Sequence, residues 1–318
     1  MSTRSAIFQA PLTRGVRYAP SPTGRFHVGN LRTAWVSVAW ARHLGMPWVV
    51  RFEDIDQPRV LVGARDQQLA DLRTLGLIPD IVLTQSAFRQ RHWDLLLAAI
   101  QVGQVYPCDC SRKEVQSALN SIASAPHDGL APVYSGSCRT NQSGSCRTRQ
   151  STLVPSESLA WRFRMPHPSG HDDFIVARSN SNLDVNGIPD EASFVPSYHW
   201  ACAIDDFDGG YDLLVRSVDL FPAAHLQRSI QRWLGGVDSN FEPPAVFHTA
   251  LVTQDDGHRL EKRTCGVTLP ELEKRGFTAE KILQIFSASF HTSLALSRGD
   301  LMREQPEQLT LVDLGLSS

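Results

Sequence analysis

Residues 17–30 read RYAPSPTGRFHVGN, and residues 49–56 read VVRFEDID. The two prolines and the glycine of PSPTG predict a tight turn between a short strand at 15–19 and a helix, which the spacing of apolar residues predicts after the turn. Gly45 and Pro47 predict the end of that helix. The apolar run that ends in EDID is typical of a buried parallel strand leading into a site. This order of elements predicts an α/β fold with a parallel sheet.

The rest of the chain continues this alternation around an irregular middle segment. Further strands are predicted at 81–84, 199–205, 212–216 and 245–252, and helices at 63–75, 88–102, 221–236 and in the stretches TLPELEKRG and TAEKILQIFSASF. Thr268 and Glu271 predict a capping box at the start of the TLPELEKRG helix. Residues 103–170 contain four of the six cysteines, many Ser, Gly and Pro, and little periodicity. We therefore predict that an insertion at 103–170 interrupts an α/β domain of residues 1–102 and 171–265, and that 266–318 is a short helical extension.

The composition narrows the class of protein. The chain has 318 residues, 42% of them hydrophobic and 20% charged, with a net charge of −2; this balance argues against nonspecific coating of nucleic acid. No apolar run approaches the roughly 20 residues of a membrane helix. The N-terminus lacks the apolar core of a secretory signal, so we expect a cytoplasmic protein with reduced thiols. The sequence contains no Walker A, G-x-G-x-x-G or G-x-S-x-G motif, which leaves P-loop, dinucleotide and serine-hydrolase chemistry without support.

The turn at the start of the first helix is the first candidate site. It delivers His27 and Asn30 to a helix N-terminus, where free backbone N–H groups and the helix dipole favour a phosphate. His27 adds a donor that can follow charge developing during phosphate chemistry. An ordinary strand–turn–helix is the alternative, but the acids of EDID behind the next strand favour a site.

Two further patterns lie in the insertion. Five arginines (139, 147, 149, 162 and 164) and one acid, Glu157, occur between Arg139 and Met165, which predicts either a phosphate-binding patch or a solvated face. Cys108 and Cys110 form C-x-C, and a tetrahedral zinc site needs two more ligands. The downstream candidates are His127, Tyr134, Cys138 and Cys146. The two cysteines belong to the two copies of the hexapeptide SGSCRT, each of which carries one. Reduced cysteines without a metal are the alternative.

RYAPSPTGRFHVGN followed by VVRFEDID resembles the start of a glutamyl-tRNA-synthetase-type class I aminoacyl-tRNA synthetase, with HVGN in place of the motif usually written HIGH. HRLEKRT (258–264) resembles the KMSKS-type loop of that family, which implies that Lys262 neutralises phosphate charge in the transition state. Arg259 replaces a lysine of the motif and keeps its charge. Glu261 replaces a serine and brings a carboxylate beside the phosphates of ATP. Its negative charge should slow the reaction at the phosphates unless a neighbouring arginine pairs with it. The resemblance implies a Rossmann-like sheet with helices on both faces.

The resemblance also implies a set of site residues. Charge complementarity alone favours arginines for the two carboxylates of a glutamate substrate and an acid for its amine, and Arg17, Arg216 and Glu53 supply them. The family's positions for glutamate correspond to Arg17, Tyr18, Ala19, Pro20, Ser21, Glu53, Tyr198 and Arg216. Its catalytic positions correspond to His27, Asn30 and Lys262, and its ATP-binding positions to His27, Gly29, Asn30 and Lys262. Its zinc spacing, C-x-C followed by Y-x₃-C, corresponds to Cys108, Cys110, Tyr134 and Cys138.

The end of the chain decides which branch of the family is most similar. Full glutamyl- and glutaminyl-tRNA synthetases continue into a large anticodon-binding domain, whereas this chain ends soon after the lysine loop, so we expect no such domain. In this respect it resembles the truncated glutamyl-queuosine tRNA(Asp) synthetases. That resemblance implies tRNA-independent activation of glutamate by ATP with Mg²⁺, transfer to the queuosine of tRNA(Asp) and one structural zinc ion. We also expect a monomer. The alternatives are a truncated glutamyl-tRNA synthetase that charges a 3′ end, a non-tRNA ligase of the same fold and an inactive zinc- or RNA-binding module.

Overall fold

The structure of the protein is a computed structural model. It describes residues 14–108, 110, 139, 158–166, 173–180, 182–236, 241–258, 260, 267–292, 295 and 297–316. The chain divides into two compact units, Met1–Ala87 with Ala203–Ser318, and Phe88–Cys202. Within the described part of the chain, no helix is both long enough and apolar enough to cross a membrane.

The described strands and helices follow one another in α/β alternation at both ends of the chain. In chain order they are β1 (Val16–Tyr18), α1 (Val28–Leu44), β2 (Trp48–Phe52), α2 (Ala64–Thr74), β3 (Ile81–Thr84), α3 (Arg89–Gln101), β4 (Val105–Cys108), β5 (Ser158–Phe163), β6 (Phe174–Asn180), β7 (Val195–Pro196), α4 (Tyr198–Asp208), β8 (Leu213–Ser217), α5 (Ala223–Gly235), β9 (Ala245–Thr249), β10 (Leu251–Thr253), α6 (Leu269–Lys274), α7 (Ala279–Ala288), β11 (Leu301–Arg303) and β12 (Gln308–Thr310).

The first unit is built on a six-stranded sheet in the order β3-β2-β1-β8-β9-β11. Every neighbouring pair in it is parallel, which confirms the predicted α/β class. The first strand lies in the middle, with Val16 opposite Trp48 of β2 on one side and Leu213 of β8 on the other. The direction of strand order therefore reverses between β1 and β8, and α/β proteins bind ligands at the carboxyl ends of the strands at such a switch point.

Helix α1 occupies the position that the opening sequence predicts. Gly45 ends it with φ 62°, a left-handed conformation that glycine adopts without steric cost. The helix packs one face on the sheet, where the Trp40 and Phe247 rings lie 5.4 Å apart. This contact belongs to a large apolar core that also includes residues of α2, α6 and α7. The switch point is thus held on a rigid base.

The second unit is built on an antiparallel sheet in the order β4-β5-β6-β7. It extends beyond the predicted insertion at 103–170, because β6 and β7 complete the sheet. Asp173, which is 2% exposed, joins its parts: it accepts hydrogen bonds from Tyr106, Arg139 and the Met165 amide. Arg164 stacks on the Tyr106 ring at 4.4 Å. Arginines of the predicted patch therefore stabilise this unit internally.

The prediction of a strand at 199–205 is wrong, since these residues lie in helix α4. The apolar run HWACAID is short enough to suit either a buried strand or a buried helix. The start of the helix is set by Ser197, whose side chain accepts from the Trp200 amide and whose carbonyl accepts from the Ala201 amide. A serine at this position is a helix-start signal that the alternation of elements obscured. Cys202 lies on this helix and is buried.

The predicted helical extension at 266–318 contains helices in its first part and two short strands in its last part. Helices α6 and α7 form, and Thr268 and Glu271 make the predicted capping box. The chain then adds β11 to the edge of the main sheet and pairs β12 with β10. The predicted single strand at 245–252 divides because the Ala250 amide donates to Glu304, at 2.7 Å, between β9 and β10. Three-residue strands carry too little periodicity to be found from sequence.

Candidate active site

A cavity of about 270 Å³ lies at the carboxyl ends of β1 and β8. Its walls come from the turn after β1, the first turns of α1, the end of β8 and the segment after β9. The lining residues are Tyr18, Ala19, Pro20, Ser21, His27, Gly29, Asn30, Thr33, Val215, Arg216, Ser217, Asp219, Leu220, Ala250, Leu251, Val252 and Leu260. Eight of the residues predicted for glutamate or ATP are among them. The cavity therefore coincides with the switch point of the sheet.

The N-terminus of α1 is shaped by a reciprocal cap. The His27 Nδ1 accepts from the Asn30 amide at 3.4 Å, and the Asn30 Oδ1 accepts from the His27 amide at 3.3 Å. The buried Tyr18 hydroxyl donates to the Asn30 carbonyl at 3.1 Å, and burial raises the pKa of Tyr18, so it stays a neutral donor. A Cβ on Gly29 would lie 3.0 Å from the His27 ring and 3.2 Å from the Val252 Cβ, so a larger residue would push the ring out of its place. This end of the helix suits an anionic ligand.

The proline-rich turn is held from α2 and β2. The amide of Gln68, a fully buried side chain, donates to the carbonyls of Ser21 at 3.2 Å and Gly24 at 2.6 Å. The Glu53 amide donates to the Pro20 carbonyl at 2.9 Å. These three hydrogen bonds fix the backbone of a turn that lacks two N–H donors because it contains two prolines. The turn is therefore a positioned wall of the cavity.

Arg216 is the buried cation of the cavity wall, with 4% of its surface exposed. Its Nε donates to the His248 Nε2 at 3.1 Å, and its Nη1 donates to the Gln227 Oε1 at 2.5 Å. Both acceptors are neutral, and among the described residues no carboxylate pairs with this guanidinium. Burying a cation without a counter-charge is costly, and protein interiors normally pair it. The arrangement is suited to an incoming carboxylate, which can take the remaining N–H groups in a fork.

A second group of charges lies beside the turn. Asp206 accepts from Arg17 with both carboxylate oxygens and from the Arg51 Nη1 at 2.7 Å. Arg51 also donates to Glu53 at 3.0 Å and lies 3.8 Å from Asp205. Burial alone raises the pKa of Asp206, but the two guanidinium groups outweigh it and hold the pKa below its usual value. The five residues carry two positive and three negative formal charges, and none of them is among the residues that line the cavity.

Two further predicted site residues, Tyr198 and Lys262, are not among the described residues that line the cavity. Tyr198 is the first residue of α4, belongs to the second unit and is 37% exposed. Lys262 lies outside the described residues, as do Arg259 and Glu261, although Leu260 beside them lines the cavity. These roles for Tyr198 and Lys262 stay predictions.

Sequence reasoning missed part of the cavity wall. Ala250, Leu251 and Val252 follow β9 at the carboxyl edge of the sheet, and Ser217 and Asp219 follow β8. Apolar residues next to a switch point carry no motif, and only the order of strands reveals them.

The two thiols of the C-x-C pair lie together in the second unit. Cys108 ends β4 and is 1% exposed. A hydrogen bond with Cys110, followed in effect by the charge of Arg162, lowers the pKa of the Cys108 thiol to about 5 despite its burial. The thiolate is the form that binds a metal. The described residues contain no group of three or more His, Cys, Asp or Glu side chains placed to bind a metal ion. Tyr134, Cys138, Cys146 and His127 lie outside them.

A parallel sheet in this strand order, with a capped helix N-terminus at its switch point, is typical of α/β proteins that bind nucleotides. The buried Arg216, which has no carboxylate partner among the described residues, is consistent with an anionic ligand. Residues 15–298 match the family described as tRNA synthetases class I (E and Q), catalytic domain. The chain belongs to this family.

Curated relatives give the branch. The chain is 34% identical to the glutamyl-Q tRNA(Asp) synthetase of Nocardia farcinica, over 89% of this chain and 87% of the relative. It is 33% identical to the protein of the same name from Deinococcus radiodurans, over 84% of this chain and 85% of the relative. Among solved structures, a glutamate tRNA ligase from Elizabethkingia meningosepticum in complex with its amino acid shares the fold, with a TM-score of 0.63 and 20% identity. That match covers 90% of this chain and 63% of the other.

Proposed function

We propose that this protein activates glutamate with ATP to form glutamyl-adenylate and then transfers the glutamyl group to the queuosine of tRNA(Asp). The name shared by the curated relatives, which align over most of their own length, supports this branch of the family. The reaction takes place in the cytoplasm in this account, and the protein acts as a monomer.

Arg216 is the observation that carries the choice of glutamate. A buried guanidinium held by two neutral acceptors needs a carboxylate from outside the described protein residues to neutralise it. Glu53, whose amide donates to the carbonyl of the cavity-lining Pro20, would receive the substrate's ammonium group in this proposal. In this proposal Arg216 receives the side-chain carboxylate of glutamate, while the α-carboxylate is left to react with ATP. Glutamine would offer Arg216 a neutral amide at the same place. The wall of the cavity thus favours an acidic amino acid.

The first step needs positioning and charge neutralisation more than a protein nucleophile, because a substrate carboxylate attacks the α-phosphate and pyrophosphate leaves. The N-terminus of α1, with His27 and Asn30 at its cap, is suited to the phosphates of ATP. Lys262 would neutralise charge that develops on the phosphates. Magnesium bound to ATP supplies further neutralisation when present.

Pyrophosphate exchange tests this step directly. Glutamate should support ATP–pyrophosphate exchange without any tRNA, and glutamine and aspartate should support little. Exchange that requires tRNA would contradict tRNA-independent activation. A complete absence of exchange would favour the inactive zinc- or RNA-binding module, for which Glu261 beside Lys262 is the motivating feature.

We further propose that Cys108 and Cys110, together with Tyr134 and Cys138, hold one structural zinc ion. The adjacent thiols with a lowered pKa fit such a site because zinc takes deprotonated sulfur. In this account the second SGSCRT copy is a spare, since Gln142 stands where a tyrosine would precede Cys146.

Zinc content separates the two copies of the repeat. Cys138→Ser should reduce bound zinc from about one ion per chain to near zero, because a tetrahedral site tolerates the loss of a thiolate poorly. Cys146→Ser is the matched control and should keep the ion. Metal analysis of the purified variants measures both. The reverse pattern would show that the second copy supplies the ligand.

Three of the five arginines in the predicted phosphate-binding patch make contacts within the second unit. Arg139 and Arg164 bond within the second unit, and Arg162 donates to the Asp173 carbonyl. Arg147 and Arg149, outside the described residues, are the remaining candidates for phosphate contacts. We propose that these two arginines contribute to binding the anticodon arm.

A further inference from the structure

His248 lies behind Arg216 and has no assigned role. It is the fourth residue of β9 and is fully buried. Its Nε2 is 3.1 Å from the Arg216 Nε, and its Nδ1 is 3.1 Å from the Met302 carbonyl oxygen of β11. The ring therefore bridges the guanidinium of the cavity wall to the edge strand of the sheet.

These two contacts determine the protonation state of the imidazole. A guanidinium N–H can only donate, so the Nε2 of His248 must carry a lone pair. A carbonyl oxygen can only accept, so the Nδ1 must carry the proton. One tautomer of neutral histidine satisfies both neighbours, and the imidazolium satisfies only one of them. A doubly protonated ring would also point an N–H at the Arg216 cation.

The charges around the ring favour the same state. Burial, and then the nearby Arg216, lowers the pKa of His248 to about 3, with smaller contributions from Arg228 on α5 and Arg303 on β11. The Met302 carbonyl works in the opposite direction but does not prevail. The Phe221 ring closes a further side, with the two ring centres 5.0 Å apart. His248 is thus neutral throughout the physiological range.

Neutral acceptors at these positions have a functional consequence. Asp or Glu in place of His248 or Gln227 would bond the same N–H groups more strongly but would neutralise the guanidinium. Histidine and glutamine fix the plane of the fork and leave its charge for another carboxylate. Orientation without neutralisation is what a carboxylate-binding arginine requires.

We propose that His248 is the positioning residue for Arg216, and that it holds the guanidinium in the plane that receives the substrate carboxylate while leaving its charge uncompensated. The proposal rests on the proposed role of Arg216 in binding glutamate. It makes β11, at the C-terminal edge of the sheet, part of the support of the active site through the Met302 carbonyl.

Steady-state ATP–pyrophosphate exchange tests this proposal with three variants. His248→Leu removes the acceptor and should raise KM for glutamate roughly 10- to 100-fold, as expected for a buried donor left without its partner. KM for ATP and kcat should each change less than about threefold, which is the size of effect expected from a substitution away from the groups concerned. His248→Gln can donate to Met302 and accept from Arg216, so it should stay within about threefold of wild type in KM for glutamate.

His248→Glu is the counterpart of His248→Gln with the same shape and a negative charge. It should raise KM for glutamate at least as much as His248→Leu, because it would occupy Arg216 with an internal carboxylate. This pair keeps the test decisive even where the leucine variant does not fold. His225→Gln, a change at an exposed histidine of α5, is the control and should leave both KM values unchanged.

Two results would overturn the inference. One is an unchanged KM for glutamate in both His248→Leu and His248→Glu. The other is an equal rise of KM for glutamate and for ATP, which would indicate a general structural role. Arg216→Ala in the same assay separates the levels: if it leaves KM for glutamate unchanged, the proposed role of Arg216 fails, whereas an effect of Arg216→Ala without any effect at His248 refutes only the positioning role.

Discussion

Arg216→Ala should lower kcat/KM for glutamate in ATP–pyrophosphate exchange on the order of 10²–10³-fold, the expected consequence of removing one partner of a buried, hydrogen-bonded charge pair. Arg216 is 4% exposed and is held in place by His248 and Gln227. Among the described residues, no other arginine or lysine lines the cavity, so none can take over the binding of the substrate carboxylate. KM for ATP should change little, because the phosphates are expected at the N-terminus of α1. Arg216→Lys keeps the charge but loses the fork, and it should give an intermediate loss.

The control for this prediction is Arg232→Ala. Arg232 lies on the exposed face of α5 and does not line the cavity, so its removal should leave exchange at the wild-type rate. The free energy of unfolding of Arg216→Ala should change far less than its activity, since no described carboxylate loses its partner. A glutamate KM that matches wild type in Arg216→Ala would contradict the assignment of the amino-acid pocket.

Asp206→Ala should destabilise the fold by about 3–5 kcal/mol, the usual cost of breaking a buried ion pair by removing one partner. Asp206 is 1% exposed and receives hydrogen bonds from both Arg17 and Arg51. Its loss leaves two buried guanidinium groups with less counter-charge next to the turn that lines the cavity. Urea unfolding measures the effect, and Asp66→Ala on the exposed side of α2 is the control, with an expected change below about 1 kcal/mol.

The stabilisation that Asp206 provides should depend on pH. Because the pKa of Asp206 in the folded protein lies below its unfolded value, its stabilisation is fully present above the unfolded pKa of about 3.9 and is lost as pH falls through the folded pKa. The difference in unfolding free energy between wild type and Asp206→Ala should therefore be constant from neutral pH down to mildly acid conditions and shrink in strong acid. A difference that grows on acidification would contradict this account of the cluster.

The sequence predicted the parts of the fold whose signals are local. The turn at PSPTG, the helix after it and its end at Gly45 follow from steric rules that apply to any protein. The capping box at Thr268 is of the same kind. By contrast, β11 and β12 owe their existence to pairing with distant strands, and three residues cannot show a period. The error at 199–205 arose because a short apolar run fits a buried helix as well as a buried strand.

The candidate site shows the same division. Arg216 follows from its place at a strand end and from the charge of the substrate that the resemblance implied. His248 and Gln227, which orient it, were not predicted. His248 belongs to β9, which the strand order places beside β8. Gln227 belongs to α5 and reaches Arg216 only through the packing of that helix. Supporting residues of this kind depend on tertiary contacts, so sequence spacing alone cannot reveal them.

The central claim is that the glutamyl group is transferred to queuosine. The direct measurement is the incorporation of labelled glutamate, with ATP present, into tRNA(Asp) that carries queuosine and into the same tRNA prepared without it. The account predicts incorporation into the queuosine-bearing tRNA(Asp) and none above background into the other. Equal incorporation into both would contradict it and would favour charging of the tRNA 3′ end.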